Sequence, residues 1–319
     1  MQKEGGIMHK IKNALKLLIC SPKNFIYAFL LKIFRTKGIC KIIPSALHVK
    51  IEYELHFQKK LDLKSPKTFN EKLQWLKLNN RNSLYTTLVD KYNVREYIAQ
   101  KIGREYLIPL IGVYDSFEEI KFDQLPNQFV LKCTHDSGGI IICKDKSKFN
   151  IDFARKKINK CLKKNFFYHG REWPYKNVTP RVICEKYMTD ESGIELKDFK
   201  IFCFNGEPKL IQVDFNRHVA HKKNIYDTQW NLLDLSYNYP NDINYSIQKP
   251  KMFYKMLALA RILSEGIPFI RVDLYSIEEK IYFGELTFFP ANGVGKFNPA
   301  IYDEILGSWI QLPKNKLYF

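Results

Sequence analysis

Arg271-Val-Asp-Leu-Tyr-Ser-Ile-Glu-Glu-Lys-Ile-Tyr-Phe-Gly-Glu-Leu-Thr-Phe-Phe-Pro290 is the stretch on which the reading of this chain turns. Its β-branched and aromatic runs predict two antiparallel strands. With Glu278 to Lys280 as a three-residue loop, Ile277 pairs with Ile281, and Asp273 falls opposite Glu285 with Arg271 and Thr287 on the same face. Val272, Leu274, Leu286 and Phe288 take the other face, which suits strands packed on a core behind and presenting charge to a cleft in front. Two facing carboxylates in a central position repel unless a cation or proton lies between them, so the pair is a candidate divalent-metal site. A surface hairpin with solvated charges is the competing reading. A register slip of one residue would separate the acids.

At 319 residues the chain can bury a sizeable core, as one large two-lobed unit or two modest ones. Its formal net charge is +18, and the first fifty residues hold ten Lys and Arg against the single acid Glu4. That balance implies a polyanion, an anionic membrane or a phosphorylated substrate. Nucleic acid is not the expected partner, because zinc-finger spacings, aromatic RNA-binding signatures and dense Arg clusters are all missing from the sequence. The seven cysteines include no Cys-x-x-Cys, and Cys133 and Cys184 lie in apolar runs as small core residues of a reducing compartment. The expected location is therefore cytoplasmic.

Near the N-terminus, the apolar run Ala14 to Cys20 is broken by Lys16, and Phe25 to Phe34 is broken by Lys32 and falls short of the ~20 residues that span a bilayer. Ser21-Pro22 followed by Phe25, Ile26, Phe29, Leu30 and Ile33 reads as a capped amphipathic helix flanked by Lys23, Lys32, Arg35 and Lys37. Such a helix either lies on the anionic inner face of the cell membrane or docks on the rest of the protein.

Further along, Thr68-Phe-Asn-Glu71 is a capping box opening a helix, and a second helix is expected over Leu88 to Lys101. Tyr106 to Val113 reads as extended. Phe129 to Cys133 and Ile140 to Cys143 form a hairpin around His135-Asp-Ser-Gly-Gly139, and a basic helix follows from Asp152 to Lys164. Val182 to Met188 is strand-like, Asp198 to Asp214 is a hairpin turning at Asn205-Gly206, and Pro250 to Gly266 is a helix. The sum is an α+β chain of antiparallel sheets with helices on one face.

Lys132, inside Phe129-Val-Leu-Lys-Cys133, needs an anion if it is buried. Ser137, Gly138 and Gly139 offer flexible backbone N–H groups that could close over a phosphate chain, although a lysine at a strand end beside an ordinary turn has the same pattern. Asp198 and Lys200 share one face of their strand.

The runs NEKLQWLKL, LVDKY, FVLKCTHDSGG, EKYM, DFKIFCFNGEPK, RVDLY and GELTFFPANG make the chain resemble the ATP-grasp superfamily, and within it the teichuronopeptide-biosynthesis TupA-like branch of cell-surface polysaccharide loci, from about Ile51 to Leu312. The resemblance implies an ATP-grasp fold, with two α+β lobes holding ATP and Mg²⁺ between antiparallel sheets. It implies phosphate contacts from Lys132 and the Ser137–Gly139 lid, and an adenine-reading hinge at Glu185, Lys186, Tyr187 and Met188. Asp198 and Lys200 would carry a second basic phosphate contact, Asp273 and Glu285 would be the Mg²⁺ ligands, and Arg271 would stabilise transferring charge. Many relatives have Glu-x-Asn where this chain has Glu285-Leu-Thr287, so Thr287, Asn292 or water would complete the metal shell.

The activity so implied is carboxylate–amine ligation through an acyl phosphate, with a uronic-acid carboxylate and an amine or amino acid as substrates. A basic helical segment 1–50, a helical region 51–128 and an ATP-grasp domain 129–319, with its lid lobe at 129–185 and C-terminal lobe at 186–319, are the expected divisions. A glycosyltransferase and a non-enzymatic module for anionic glycans or membranes are the alternatives; the sequence has no Asp-x-Asp for a nucleotide-sugar metal site.

Overall fold

In the computed structural model, which describes residues 22–34, 36, 38–190, 196–215 and 221–314, the strand-rich stretches form two antiparallel sheets. The first four strands are β1 (Leu110–Tyr114), β2 (Phe129–Cys133), β3 (Ile140–Cys143) and β4 (Val182–Lys186), which make the smaller sheet in the order β1–β4–β2–β3. The rest are β5 (Asp198–Phe204), β6 (Glu207–Phe215), β7 (Lys222–Tyr226), β8 (Ser236–Tyr237), β9 (Phe269–Ile277), β10 (Lys280–Thr287) and β11 (Phe297–Asn298). Five of them form the larger sheet, β10–β9–β5–β6–β7, while β8 pairs with β11.

The helices are α1 (Pro22–Phe34), α2 (Ile39–Ile42), α3 (Ser45–Phe57), α4 (Phe69–Asn79), α5 (Leu84–Val89), α6 (Val94–Lys101), α7 (Ile151–Leu162), α8 (Phe167–Gly170), α9 (Phe253–Ser264) and α10 (Tyr302–Trp309). Each sheet has its own core. Ile270, Val272 and Leu274 alternate along β9 and are fully buried in a core shared with α9, so each contributes roughly 1.5–3 kcal/mol of burial. Ala154, Ile158 and Cys161 place one face of α7 under the small sheet, against Phe129 and Leu131.

The capping box forms at the start of α4: the Thr68 hydroxyl accepts from the Glu71 N–H, and the Glu71 carboxylate accepts from the Thr68 N–H. Asn205 and Gly206, at φ 50° and 86°, make the tight turn between β5 and β6. The single helix expected over Leu88 to Lys101 is instead two, α5 and α6. Between them the Asp90 carboxylate accepts from the N–H groups of Tyr92 and Asn93 at 2.9 and 3.2 Å, a local turn that competes with the helix ladder. The extended stretch after Tyr106 supplies β1, which pairs with β4. A division at 128/129 therefore cuts through the small sheet.

The hairpin quoted at the outset departs from the expected register. Its turn holds two residues, Glu278 and Glu279, so that Lys280 pairs with Ile277 and Phe283 with Leu274. A bulge between Phe283 and Glu285 then shifts the pairing by one, restoring Glu285 opposite Asp273 and Thr287 opposite Arg271.

At the N-terminus, α1 docks on α3 through Leu31, Phe34 and Ile51, while Ile26 and Phe29 remain 52% and 55% exposed. The Ala14–Cys20 run, the Ser21 cap, Arg35 and Lys37 lie outside the described residues. Among the described residues no helix is long and apolar enough to cross a membrane.

Candidate functional site

Between the two sheets lies a cleft of about 380 Å³. On its large-sheet side, β9 and β10 present Asp273 and Glu285 across the restored register. Arg271 fixes both: its guanidinium donates twice to Asp273 at 2.6 Å and once to Glu285 at 3.2 Å. The Thr287 hydroxyl accepts from Arg271 at 3.0 Å and donates to Glu285 at 3.2 Å. Burial pushes the Asp273 carboxyl up to about 7, with Glu285 adding to the rise and Arg271 and Lys200 opposing it. One guanidinium thus leaves this acid pair short of positive charge, and a divalent cation fits that deficit.

Asn292 does not join the pair. It follows β10 in a left-handed turn at φ 56°, and its amide is committed elsewhere: the oxygen accepts from Lys77 at 2.8 Å and the nitrogen donates to Glu52 at 2.6 Å. Asn292, one of the candidates for completing the metal shell, here links α3, α4 and the end of the large sheet.

Lys200 on β5 reaches the cleft beside these groups, held by Asp198 at 3.0 Å and by Asp214 on β6 at 2.8 Å. Asp214 was not anticipated. Its signal was the alternation of Gln212 and Asp214 along β6, which places both on the face that carries Lys200.

Across the cleft, Lys132 on β2 has its anion within the protein: Glu185 on β4 accepts from it at 2.7 Å. The other Glu185 oxygen accepts from Arg95 of α6 at 3.1 Å, and Arg95 also donates to the Ile108 carbonyl. Arg95 carries no motif in the sequence and reaches the site from the second residue of α6. The N–H of Lys186 donates to the Pro109 carbonyl at 3.0 Å, and the residues after it, Tyr187 and Met188, line the cleft.

The glycine loop is pinned at one end and open at the other. The Gly139 N–H donates to the Asp136 carboxylate at 2.8 Å, and Lys91 donates to the Asp136 carbonyl. A Cβ on Gly139 would lie 2.6 Å from Cys133, so glycine is required there, whereas nothing lies within 4 Å of one on Gly138. Ser137 lines the cleft, while Gly138 borders a neighbouring cavity. Val130, Ile142, Ile183 and Phe283 give the cleft an apolar wall suited to a flat base, and Lys132 and Lys200 supply cations for a phosphate chain. The residues present therefore fit a magnesium nucleotide.

Residues 71–311 match the TupA-like ATPgrasp family, and the chain belongs to that family. Solved structures with a similar fold include a D-alanine–D-alanine ligase from Bacillus anthracis complexed with ATP, at 15% identity and TM-score 0.36, covering 63% of this chain and 54% of that one. A D-alanine–D-alanine ligase from Helicobacter pylori matches at 12% identity and TM-score 0.39, covering 77% and 70%. A RimK-domain ATP-grasp protein from Sphaerobacter thermophilus matches at 10% identity and TM-score 0.41, covering 73% and 70%. The chain thus spans about half the length of the Bacillus anthracis ligase. No curated protein matches the sequence.

Proposed function

We propose that the protein is a magnesium- and ATP-dependent carboxylate–amine ligase that modifies a uronic-acid or other carboxylate during cell-surface polysaccharide assembly. The observation that carries this reading is the acid pair Asp273 and Glu285, with Lys200 beside them on the same sheet, facing Lys132 across one cleft, in a chain of the ATP-grasp family. Asp273 and Glu285 would hold the magnesium ion, with Thr287 orienting Glu285 and Arg271 neutralising the acids from the side. Lys132, Lys200 and Ser137 at the open end of the glycine loop would hold the phosphates, and the apolar wall together with residues 185–188 the base. When bound, the nucleotide supplies a transferable γ-phosphoryl group.

The protein's own contribution is positioning and charge: Arg271 and the two lysines stabilise negative charge as it moves between oxygens, and the loop over the cleft keeps water from the activated carboxylate. Family membership favours this reading over a glycosyltransferase. The exposed Ile26, Phe29 and Ile42, beside Lys23, Lys32 and Lys41, support contact with an anionic membrane surface where such glycans are assembled. The test is release of ADP by the full chain with candidate uronates and amines. The proposal requires release that depends on Mg²⁺, on the carboxylate and on the amine, and that falls at least 100-fold in both Lys132→Ala and Glu285→Gln. Full turnover in both variants would refute the site.

A further inference from the structure

The second cavity, on the other side of the glycine loop, encloses about 1060 Å³. Ser137 lines both it and the nucleotide cleft, so the loop is the partition between them. The wall is largely of one charge. Lys157, Lys160, Lys163 and Lys164 come from α7 and its C-terminal end, Lys41 from α2 and His169 from α8. The acid in the lining, Asp136, already accepts from the Gly139 N–H. Among the described residues, Lys41, Lys160, Lys163 and Lys164 have no carboxylate at ion-pair distance.

Lys157 and Lys160 lie three residues apart on α7, and Lys163 and Lys164 follow its last residue, so four like charges crowd the C-terminal end of one helix, where the helix dipole favours cations. A concave surface of one sign also focuses its potential inward and gathers counter-ions of the opposite sign. Phe166 and Tyr168, both half-buried, add aromatic surface to the wall, with Phe166 stacked on His169 and the Arg171 guanidinium 5.4 Å from the centre of the Tyr168 ring. The volume exceeds the roughly 300–1,000 Å³ of an ordinary small-molecule pocket and leaves room for more than one sugar. Gly38 and Lys41 precede the residues matched by the family, so this part of the wall is supplied from outside the matched region.

We propose that this cavity binds the acceptor glycan, an oligosaccharide with several carboxylates, and holds it beside the glycine loop so that one carboxylate reaches the nucleotide cleft. The inference rests on the ligase reading and names the substrate class for it. Lys160, Lys163 and Lys164 supply charge attraction, and the aromatic surface of Phe166 and Tyr168 adds contact with the sugar.

The experiment uses the full chain and a fluorescently labelled hexagalacturonate, titrated at 50 and 150 mM salt, with maltohexaose and a single-stranded oligonucleotide of equal charge as competitors. In parallel, the thermal shift produced by ATP with Mg²⁺ is recorded for every variant. Expected are binding of hexagalacturonate that weakens at the higher salt, at least tenfold weaker binding in the Lys160→Glu/Lys164→Glu variant, and about threefold weaker binding in Lys160→Gln/Lys164→Gln. The nucleotide shift should persist in both variants, showing that fold and nucleotide cleft are intact. The proposal is overturned if the wild-type chain does not bind hexagalacturonate, if the charge-reversed variant binds it as tightly, or if maltohexaose or the oligonucleotide competes equally well. Loss of the nucleotide shift in the wild-type chain would instead remove the ligase reading, while the hexagalacturonate titration would still decide what the cavity binds.

Discussion

Asp273 and Glu285 oppose each other because Gly284 sits in a bulge between them and the hairpin turn. Continued without the bulge, the pairing of Phe283 with Leu274 would set Asp273 opposite Gly284 and turn Glu285 toward the buried face of Val272. A Cβ at position 284 would lie 2.9 Å from the Asp273 carbonyl oxygen. Gly284→Val should therefore cost about 1–3 kcal/mol of stability and weaken magnesium-dependent ATP binding at least tenfold. Calorimetric titration with ATP, with and without Mg²⁺, checks this; an unchanged magnesium response would show that the bulge does not set the site.

On the small sheet, Glu185 is buried between two cations, Lys132 and Arg95. Removing Lys132 takes away the ammonium aimed into the cleft, and Lys132→Ala should lower turnover by about 10²–10³. Arg95→Ala should act differently. It leaves Lys132 to neutralise Glu185 alone, and ATP affinity should fall by about tenfold, or ~1.4 kcal/mol, with a smaller change in the maximal rate. Separate measurement of kcat and the KM for ATP distinguishes the two.

Asn292 bridges two buried charges, Lys77 and Glu52. Asn292→Ala removes the amide contact from each, while Lys77 keeps the backbone carbonyl of residue 292 at 3.0 Å, and should destabilise the fold by about 1–3 kcal/mol. Magnesium affinity of the folded fraction should stay at its wild-type value, because the amide has no place at the acid pair. Denaturant unfolding alongside a magnesium titration tests both halves; a selective loss of magnesium binding would return Asn292 to the metal shell.

Glu172 lies in the same buried region. Burial raises its carboxyl above the ordinary range, to about 7, against the pull of Lys77. The folded state therefore holds a proton that the unfolded chain has released, and this contribution to stability is full below about pH 4.5 and is lost as pH rises through about 7. Glu172→Gln should flatten that decline, by on the order of 2 kcal/mol, in unfolding curves taken from pH 5 to pH 8. An unaltered slope would place the titration on another group.

Much of this architecture could be read from short-range chemistry. The Thr68–Glu71 capping box, the Asn205-Gly206 turn and the alternation of Val272 and Leu274 with Arg271 and Asp273 each depend on residues close together in the chain. The opposed acids were legible for the same reason, although by a register that was wrong at the turn and right at the site. The bulge had a signal: the buried residues run Ile281 and Phe283, then Leu286, a change of parity at Gly284. The contacts that escaped are tertiary. Arg95 meets Glu185 from 90 residues away, and Asn292 reaches Glu52 across 240, with no local pattern to announce either.

The glycine loop is a common wall with a chamber on each side. A ligand that moves this wall from one side changes the surface met from the other, and by thermodynamic reciprocity any such coupling between the two proposed ligands has the same size in both directions.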